Sequence, residues 1–386
     1  MEAFTTFRKS QIQMITVLEV TNKHLYKQFL NLPYELHDGH QNWLPPIYSD
    51  DKAFFNRKKN VQFVNTDSIL LLAFIDEKPV GRIMAIIPHG YNQRKNLKDV
   101  RFNYLESINN YEVLESLFNY VCKWGKEMGC DKLVGPLGFS DKEPQGLEIE
   151  GIEHTPLIVT NVNYGYIRGF IQRFGFIKKT DLVSFGIKVP EEYPTEYFEK
   201  YQSYLPHHKR LKTLDLKTRW GVWRYLRPAM NLINELFGEI YAHNPLKKRD
   251  IDDLVKRYAL LLIPKYLKGI LNEKNELVAF VIGMPDIAKG IQECNGRLFP
   301  FGFLKILRAQ RRSKELILMI GGIKKEYRNI GLDYWLSIEI YKTIKEAEIG
   351  IVKGHLILED NVKAHAKLLK FGGYVNKRFR IYQKSL

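Results

Sequence analysis

The stretch Leu316–Asp333, LILMIGGIKKEYRNIGLD, opens as an apolar run long enough for a buried strand and breaks at Gly321-Gly322. A basic turn follows, and Arg328-Asn329-Ile330-Gly331 leads into an amphipathic helix predicted to run to about Glu346. A strand that feeds a helix through an Arg-x-x-Gly turn is a device for holding phosphate. The first-turn N–H groups have no intrahelical partner, the helix dipole is positive there, and Gly lets an anion approach the backbone. The same spacing also suits a plain strand-to-helix turn. Asp333 would repel a diphosphate if it pointed inward, and would favour the helix N-terminus if it turned outward.

Outward from this stretch, the chain reads as alternating strands and helices. In the N-terminal part, Met14–Val20 is a strand and Lys23–His37 a helix interrupted near Pro33. Asn42–Asn60 reads as a structured loop, and Ser68–Ile75 with Val80–Ile87 as a hairpin. The strand Val100–Glu106, the helix Tyr111–Met128 and the short strand Lys132–Val134 follow. A Gly- and acid-rich loop, Gly138–His154, precedes the helix Gly165–Phe174 and the strand Leu182–Val189. After Pro190 the pattern restarts: strand Leu211–Leu216, the helical stretch Trp220–His243, kinked at Pro228 or in two pieces, helix Ile251–Leu262, and hairpin Tyr266–Leu271 and Glu276–Met284. Beyond the organising stretch come strand Val352–Leu358, helix Asn361–Phe371 and strand Tyr374–Tyr382.

The restart is a repeat. Pro88 lies 87 residues before Gly175, and Pro285 lies 88 before Gly373. Asn163 and Asn361 each stand 12 residues before those glycines, opening helices that end in a Gly-aromatic step. The expected architecture is α/β, with two related halves, 1–195 and 196–386, each a mixed, mostly antiparallel sheet flanked by helices.

With its residue order in place, Ile323–Asp333 resembles the acyl-CoA-binding motif of the GNAT (GCN5-related N-acetyltransferase) superfamily: Tyr327, Arg328 and Gly331 match in register, while Lys325 replaces a Pro and Asp333 a small residue. The element order is similar to a tandem GNAT protein over most of the chain. The resemblance implies acetyl-CoA or another acyl-CoA as donor, with Gly322, Ile323, Arg328, Asn329, Ile330 and Gly331 as its contacts. It places Met319–Ile323 on the strand edge that the pantetheine arm follows. Asn361 matches the second family motif as a contact near pantetheine, or serves as a helix N-cap. The family's proton-donating Tyr falls on Leu368, which leaves the general acid unassigned. The first half enters its helix through Ser107-Ile108-Asn109-Asn110, with neither Gly nor Arg, and is expected not to bind CoA.

Asp141, Glu143, Glu148, Glu150, Glu153 and His154 crowd the acidic loop of a chain whose formal charge is +16. Glu148, Glu150 and Glu153 are the candidate general bases: a carboxylate in a partly dry cleft could take the proton of an attacking ammonium. A solvated acidic loop is the other reading, and the spacing does not suit a metal site. Gly296–Lys314 joins an aromatic-aliphatic face to a basic end, as a lid over an acyl chain, a foot on an anionic membrane surface, or a packed helix. The three cysteines form no CxxC pair, and no signal or spanning segment is evident, so a soluble cytoplasmic protein is expected. The function expected is acyl-CoA-dependent N-acylation of a small-molecule amine. The alternatives are an aminoacyl-tRNA-dependent transferase, for which the charge would suit tRNA, and a non-catalytic binding protein with a degenerate site. The sequence does not give the oligomeric state.

Overall fold

The computed structural model describes residues 14–214, 216–237 and 261–386, with 248, 251, 252, 255 and 259 between them. Seven described strands precede residue 195: β1 (Ile15–Glu19), β2 (Thr66–Ile75), β3 (Lys78–Pro88), β4 (Asp99–Ser107), β5 (Lys132–Gly135), β6 (Leu147–Glu150) and β7 (Ile177–Lys188). Seven described strands follow: β8 (Lys212–Leu214), β9 (Leu267–Leu271), β10 (Leu277–Pro285), β11 (Glu315–Ile323), β12 (Ile351–Gly354), β13 (Ile357–Leu358) and β14 (Tyr374–Ser385).

They form one mixed sheet in the order β1-β2-β3-β4-β5-β14-β7-β12-β11-β10-β9-β8, with β6 against β14 and β13 against β7. The order is symmetric about the antiparallel β14–β7 pair. Strands β1 to β5 run outward on one side and β12 to β8 on the other. Each half therefore sends its last strand across: β14 pairs with β5 and β6 of the first half, and β7 with β12 and β13 of the second. The exchange has an energetic consequence. Phe379, Ile381 and Tyr382 of β14 are buried against Val134, Leu137 and Leu182 and within the first-half core. Each large apolar side chain so buried stabilises the fold by about 1.5–3 kcal/mol.

Local chemistry explains the elements. The hairpin β2–β3 closes through Asp76 and Glu77, both at positive φ (45° and 65°), the two-residue turn whose twist suits a hairpin. Helix α1 (Lys23–Leu36) runs through Pro33 rather than breaking there. Proline leaves the Phe29 carbonyl, four residues back, without its helical donor, and buried Arg82 on β3 donates to it at 2.8 Å. The 42–60 segment holds a helix, α2 (Tyr48–Phe54), and α3 (His89–Lys95) follows the hairpin. Helices α4 (Tyr111–Glu127) and α5 (Gly165–Arg173) fall where their apolar spacing predicts.

In the second part, α6 (Thr195–Tyr204) opens at the division between the halves, and α7 (Arg219–Phe237) continues through Pro228. The rest of the predicted helix to His243, and half of Ile251–Leu262, lie outside the described residues. Short α8 (Ala288–Glu293) and α9 (Gly302–Arg312) precede β11, then come α10 (Leu332–Glu346) and α11 (Val362–Lys370). The acidic loop contains β6, and the predicted strand 352–358 is two pieces, β12 and β13.

Candidate active site

Strands β11 and β12 run parallel from Glu315↔Ile351 to Leu318↔Gly354. The His355 N–H donates to the Leu318 carbonyl at 3.1 Å as the last rung. From Met319 to Ile323, β11 has no ladder partner on that side among the described residues. Its other side stays paired with β10, where the register slips between Ile282 and Gly283 and leaves Met319 as the extra, bulged residue. A fork with one free backbone edge results. Gly322 sits where a Cβ would meet the end of the Leu236 side chain of α7 at 2.4 Å, a contact that a shift of that side chain would relieve.

Beyond the edge, a short 3-10 turn (Lys325–Tyr327) leads to extended Arg328, then to Asn329 and Gly331, both left-handed at φ 63° and 77°. Among the described residues no side chain caps α10, so the N–H groups of its first turn are left for another acceptor. Arg328 is exposed and its Nε donates to the Ile323 carbonyl at 3.3 Å, which folds the cation back along the strand end. The close approach at Gly331 is made by Tyr204 of α6: an added Cβ would lie 2.3 Å from its ring. His208 donates to the Ile330 carbonyl at 2.7 Å and stacks on Trp335. Asp333 turns outward to Lys367 of α11 at 2.5 Å, so its charge is compensated by a neighbouring helix. Asn361 caps α11, its Oδ1 accepting from the Ala364 N–H at 3.3 Å.

At the fork stands a residue the sequence reading missed, His355. It is hydrogen-bonded to the Ile158 backbone, while Nε2 is closed off from solvent and has no partner among the described residues. Burial holds the imidazole below its ordinary pKa of 6.5, so it is neutral near pH 7. First-half residues wall this region. Leu157 and Ile158 join the core of α7, β10 and β11, and Leu44, Ile47 and Val159 pack against it beside Met319 and Ile320. Lone histidines after a strand carry no sequence signal; the fork gives this one its meaning.

The acidic loop divides. Glu148 is buried and ion-paired with buried Lys377 of β14, whose Nζ also donates to the Gly151 carbonyl at 2.6 Å. Burial pushes the Glu148 carboxyl up and the Lys377 ammonium down, and the pairing opposes both shifts. Glu150 is exposed and paired with Arg378 at 2.8 Å, and exposed Glu153 lies 3.5 Å from His154. All three carboxylates therefore face β14 or its flank. Glu143 turns inward onto the Ser140 N–H at 2.6 Å, and burial raises its pKa to about 7.

The first half has a fork of its own. There β4 and β5 part after Arg101↔Val134, with Leu137 N–H on the Phe102 carbonyl at 2.7 Å. Its own loop fills the gap. Arg101 donates to the Gly138 and Phe139 carbonyls at 3.1 Å each, and Asn103 to that of Pro144 at 2.8 Å. Near the end of β4 lies a second unforeseen group. Glu106 Oε2 is 2.9 Å from His37 Nε2, and His37 Nδ1 is 2.8 Å from His40 Nδ1, with the rings stacked between Trp43 and Tyr164. When Glu106 takes the His37 Nε2 proton, His37 Nδ1 accepts from His40 and leaves His40 Nε2 with a lone pair.

The fold is that of tandem GNAT proteins. The chain superposes on a tandem GNAT protein from the clavulanic acid biosynthesis pathway with a TM-score of 0.52, at 10% identity, covering 96% of this chain and 98% of that one. The GCN5-related glucosamine N-acetyltransferase region of a fungal multi-domain β-N-acetylglucosaminidase gives 0.55 at 9% identity, over 96% of this chain and 38% of that one. No family model matches the sequence. Two curated relatives match nearly end to end at 23% identity. They are protein YghO of Escherichia coli (95% of this chain, 94% of the relative) and the bacterial ceramide synthase of Caulobacter vibrioides (96% and 98%).

Proposed function

We propose that the chain is an acyl-CoA-dependent N-acyltransferase whose acceptor is the amine of an amphiphilic, long-chain molecule. The observation that carries this reading is the fork itself: among the described residues, a strand edge without a ladder partner, Met319–Ile323, leads from an uncapped helix N-terminus to an imidazole whose Nε2 has no partner. The distant ceramide synthase supports acceptor and donor class, since a ceramide is an N-acylated long-chain amine. The residues fit a CoA donor. The first-turn N–H groups of α10 and the Arg328 guanidinium would take the diphosphate, with Asn329, Ile330 and Gly331 shaping the turn. The backbone from Gly322 and Ile323 back to Met319 would hold the pantetheine amides. Asn361 stays in reserve as a cap.

The donor supplies an activated thioester carbonyl; the protein supplies position and a base. His355 Nε2 takes the proton that the acceptor ammonium must lose before its nitrogen can form the amide bond. The thioester C–S bond breaks, and the second proton that the nitrogen sheds passes to the departing sulfur, which leaves as the CoA thiol. Residues 1–195 act as the acceptor-side unit and residues 196–386 as the donor-side unit. Glu148 and Glu150, already paired, serve the strand exchange rather than the proton transfer.

Long-chain amines incubated with acyl-CoA, and calorimetric titration with CoA, test this. The expected results are amide formation, CoA binding weakened in Arg328→Glu, and about a 100-fold lower kcat in His355→Gln with unchanged CoA affinity. Loss in His40→Gln but not in His355→Gln would move the base to the His37–His40 pair. Absence of CoA binding would end the proposal.

A further inference from the structure

We infer that the segment from Leu298 to Lys314 is a docking surface for an anionic lipid bilayer. Phe299 is 82% and Phe301 69% exposed, and Phe303 and Leu304 are exposed beside them. Four large apolar side chains within six residues thus face solvent at the N-terminal end of α9. They are held there firmly. Gly302 lies where a Cβ would be 1.9 Å from the Arg297 carbonyl, Gly290 of α8 lies where one would be 2.7 Å from Ile306 Cα, and Lys305 Nζ donates to the Glu293 carbonyl at 2.7 Å. The inward face of α9 (Gly302, Ile306, Gln310) is spent on the core, and among the described residues these phenylalanines belong to no core cluster.

Charge selects the occupant. From Cys294 to Lys314 the sequence carries Arg297, Lys305, Arg308, Arg311, Arg312 and Lys314 and no Asp or Glu. Among the described residues, Arg308, Arg311 and Arg312 are exposed and enter no ion pair. Aromatic rings beside unpaired guanidinium groups match a membrane interface, where rings enter the acyl boundary and cations meet lipid phosphates. No described helix is long and apolar enough to cross a membrane, so docking here would lie on the surface. The inference goes beyond the acyl-transfer reading and is read without turnover, so either can fail alone.

The test is co-sedimentation of the full chain with vesicles of phosphatidylglycerol and phosphatidylcholine, against phosphatidylcholine alone. The wild type is expected to pellet with the anionic vesicles and to be released by high salt. Arg308→Glu/Arg311→Glu/Arg312→Glu is expected to weaken binding by on the order of 100-fold or more, since each basic residue near such a surface contributes about a factor of five. Phe299→Ser/Phe301→Ser/Phe303→Ser is expected to lose at least about tenfold. All six positions are exposed, and unchanged circular dichroism melts confirm intact variants. Equal binding to both vesicle types, or binding indifferent to both variants, overturns the inference. So does a wild type that ignores vesicles but forms a dimer split by the Phe variant, which would make this face an interface between copies.

Discussion

Replacing Lys377 with Met tests how the two halves are locked together. The ammonium on β14 is buried and serves two acceptors, the Glu148 carboxylate and the Gly151 carbonyl. Met fills a similar volume but strands both. A carboxylate buried without its cation escapes by taking a proton. Held neutral at pH 7, about 2.5 units above its ordinary 4.5 at roughly 1.4 kcal/mol a unit, it costs on the order of 3 kcal/mol. The unpaired carbonyl adds about 1 kcal/mol, for a total near 4, within the range for broken buried pairs. The sign with pH follows. Without its cation Glu148 is raised further by burial, so stability falls as pH rises above 4.5, and at pH 5 the protonation cost is under about 1 kcal/mol. Urea denaturation should therefore show a loss of about 4 kcal/mol at pH 7 shrinking to about 2 at pH 5. Glu148→Met/Lys377→Met should recover most of it, because two apolar groups need no partner. A loss below about 1 kcal/mol, or one equal at both pH values, would refute the argument that desolvation governs this pair.

Three further outcomes are expected. Glu143, with its pKa raised from 4.5 to about 7, penalises folding progressively as pH rises through that window, so Glu143→Gln should add up to about 3 kcal/mol at pH 8 and flatten the melting curve between pH 5 and 7. Gly331→Ala should cost more than about 2 kcal/mol and weaken CoA binding, because its positive φ and the Tyr204 ring at 2.3 Å leave no place for a methyl group; Tyr204→Ala should restore part of the stability in thermal melts. His355, held below 6.5 by burial, should keep the acid limb of kcat/KM below pH 6.5, and a limb above that value in the rate profile would exclude it as the base.

Composition and periodicity carried much of this protein. The apolar run through Leu316–Ile320, the hairpin at Asp76-Glu77 and the two Gly-aromatic exits sit in local patterns, because pleat, turn and helix impose periods of 2 and 3.6 on neighbouring residues. That is why strand order along the chain, the repeat and the Arg328–Gly331 turn were legible. Local pattern also misled where a distant partner decides the outcome. Pro33 does not break α1 because Arg82, 49 residues away, supplies the missing donor to Phe29.

Only the tertiary structure could exchange the closing strands, since β7 and β14 have the same alternation whichever sheet they join. The exchange sets Glu148 against Lys377 and turns a carboxylate that reads as a base into half of a buried pair. Asp333 reads as a threat to a phosphate until Lys367 meets it from another helix. His355 reads as nothing until β11 and β12 part beside it. Sequence fixes which groups a chain owns and how each segment folds on itself. Their charge state and partners depend on what lies within a few ångströms, and that is set by contacts far apart in the chain.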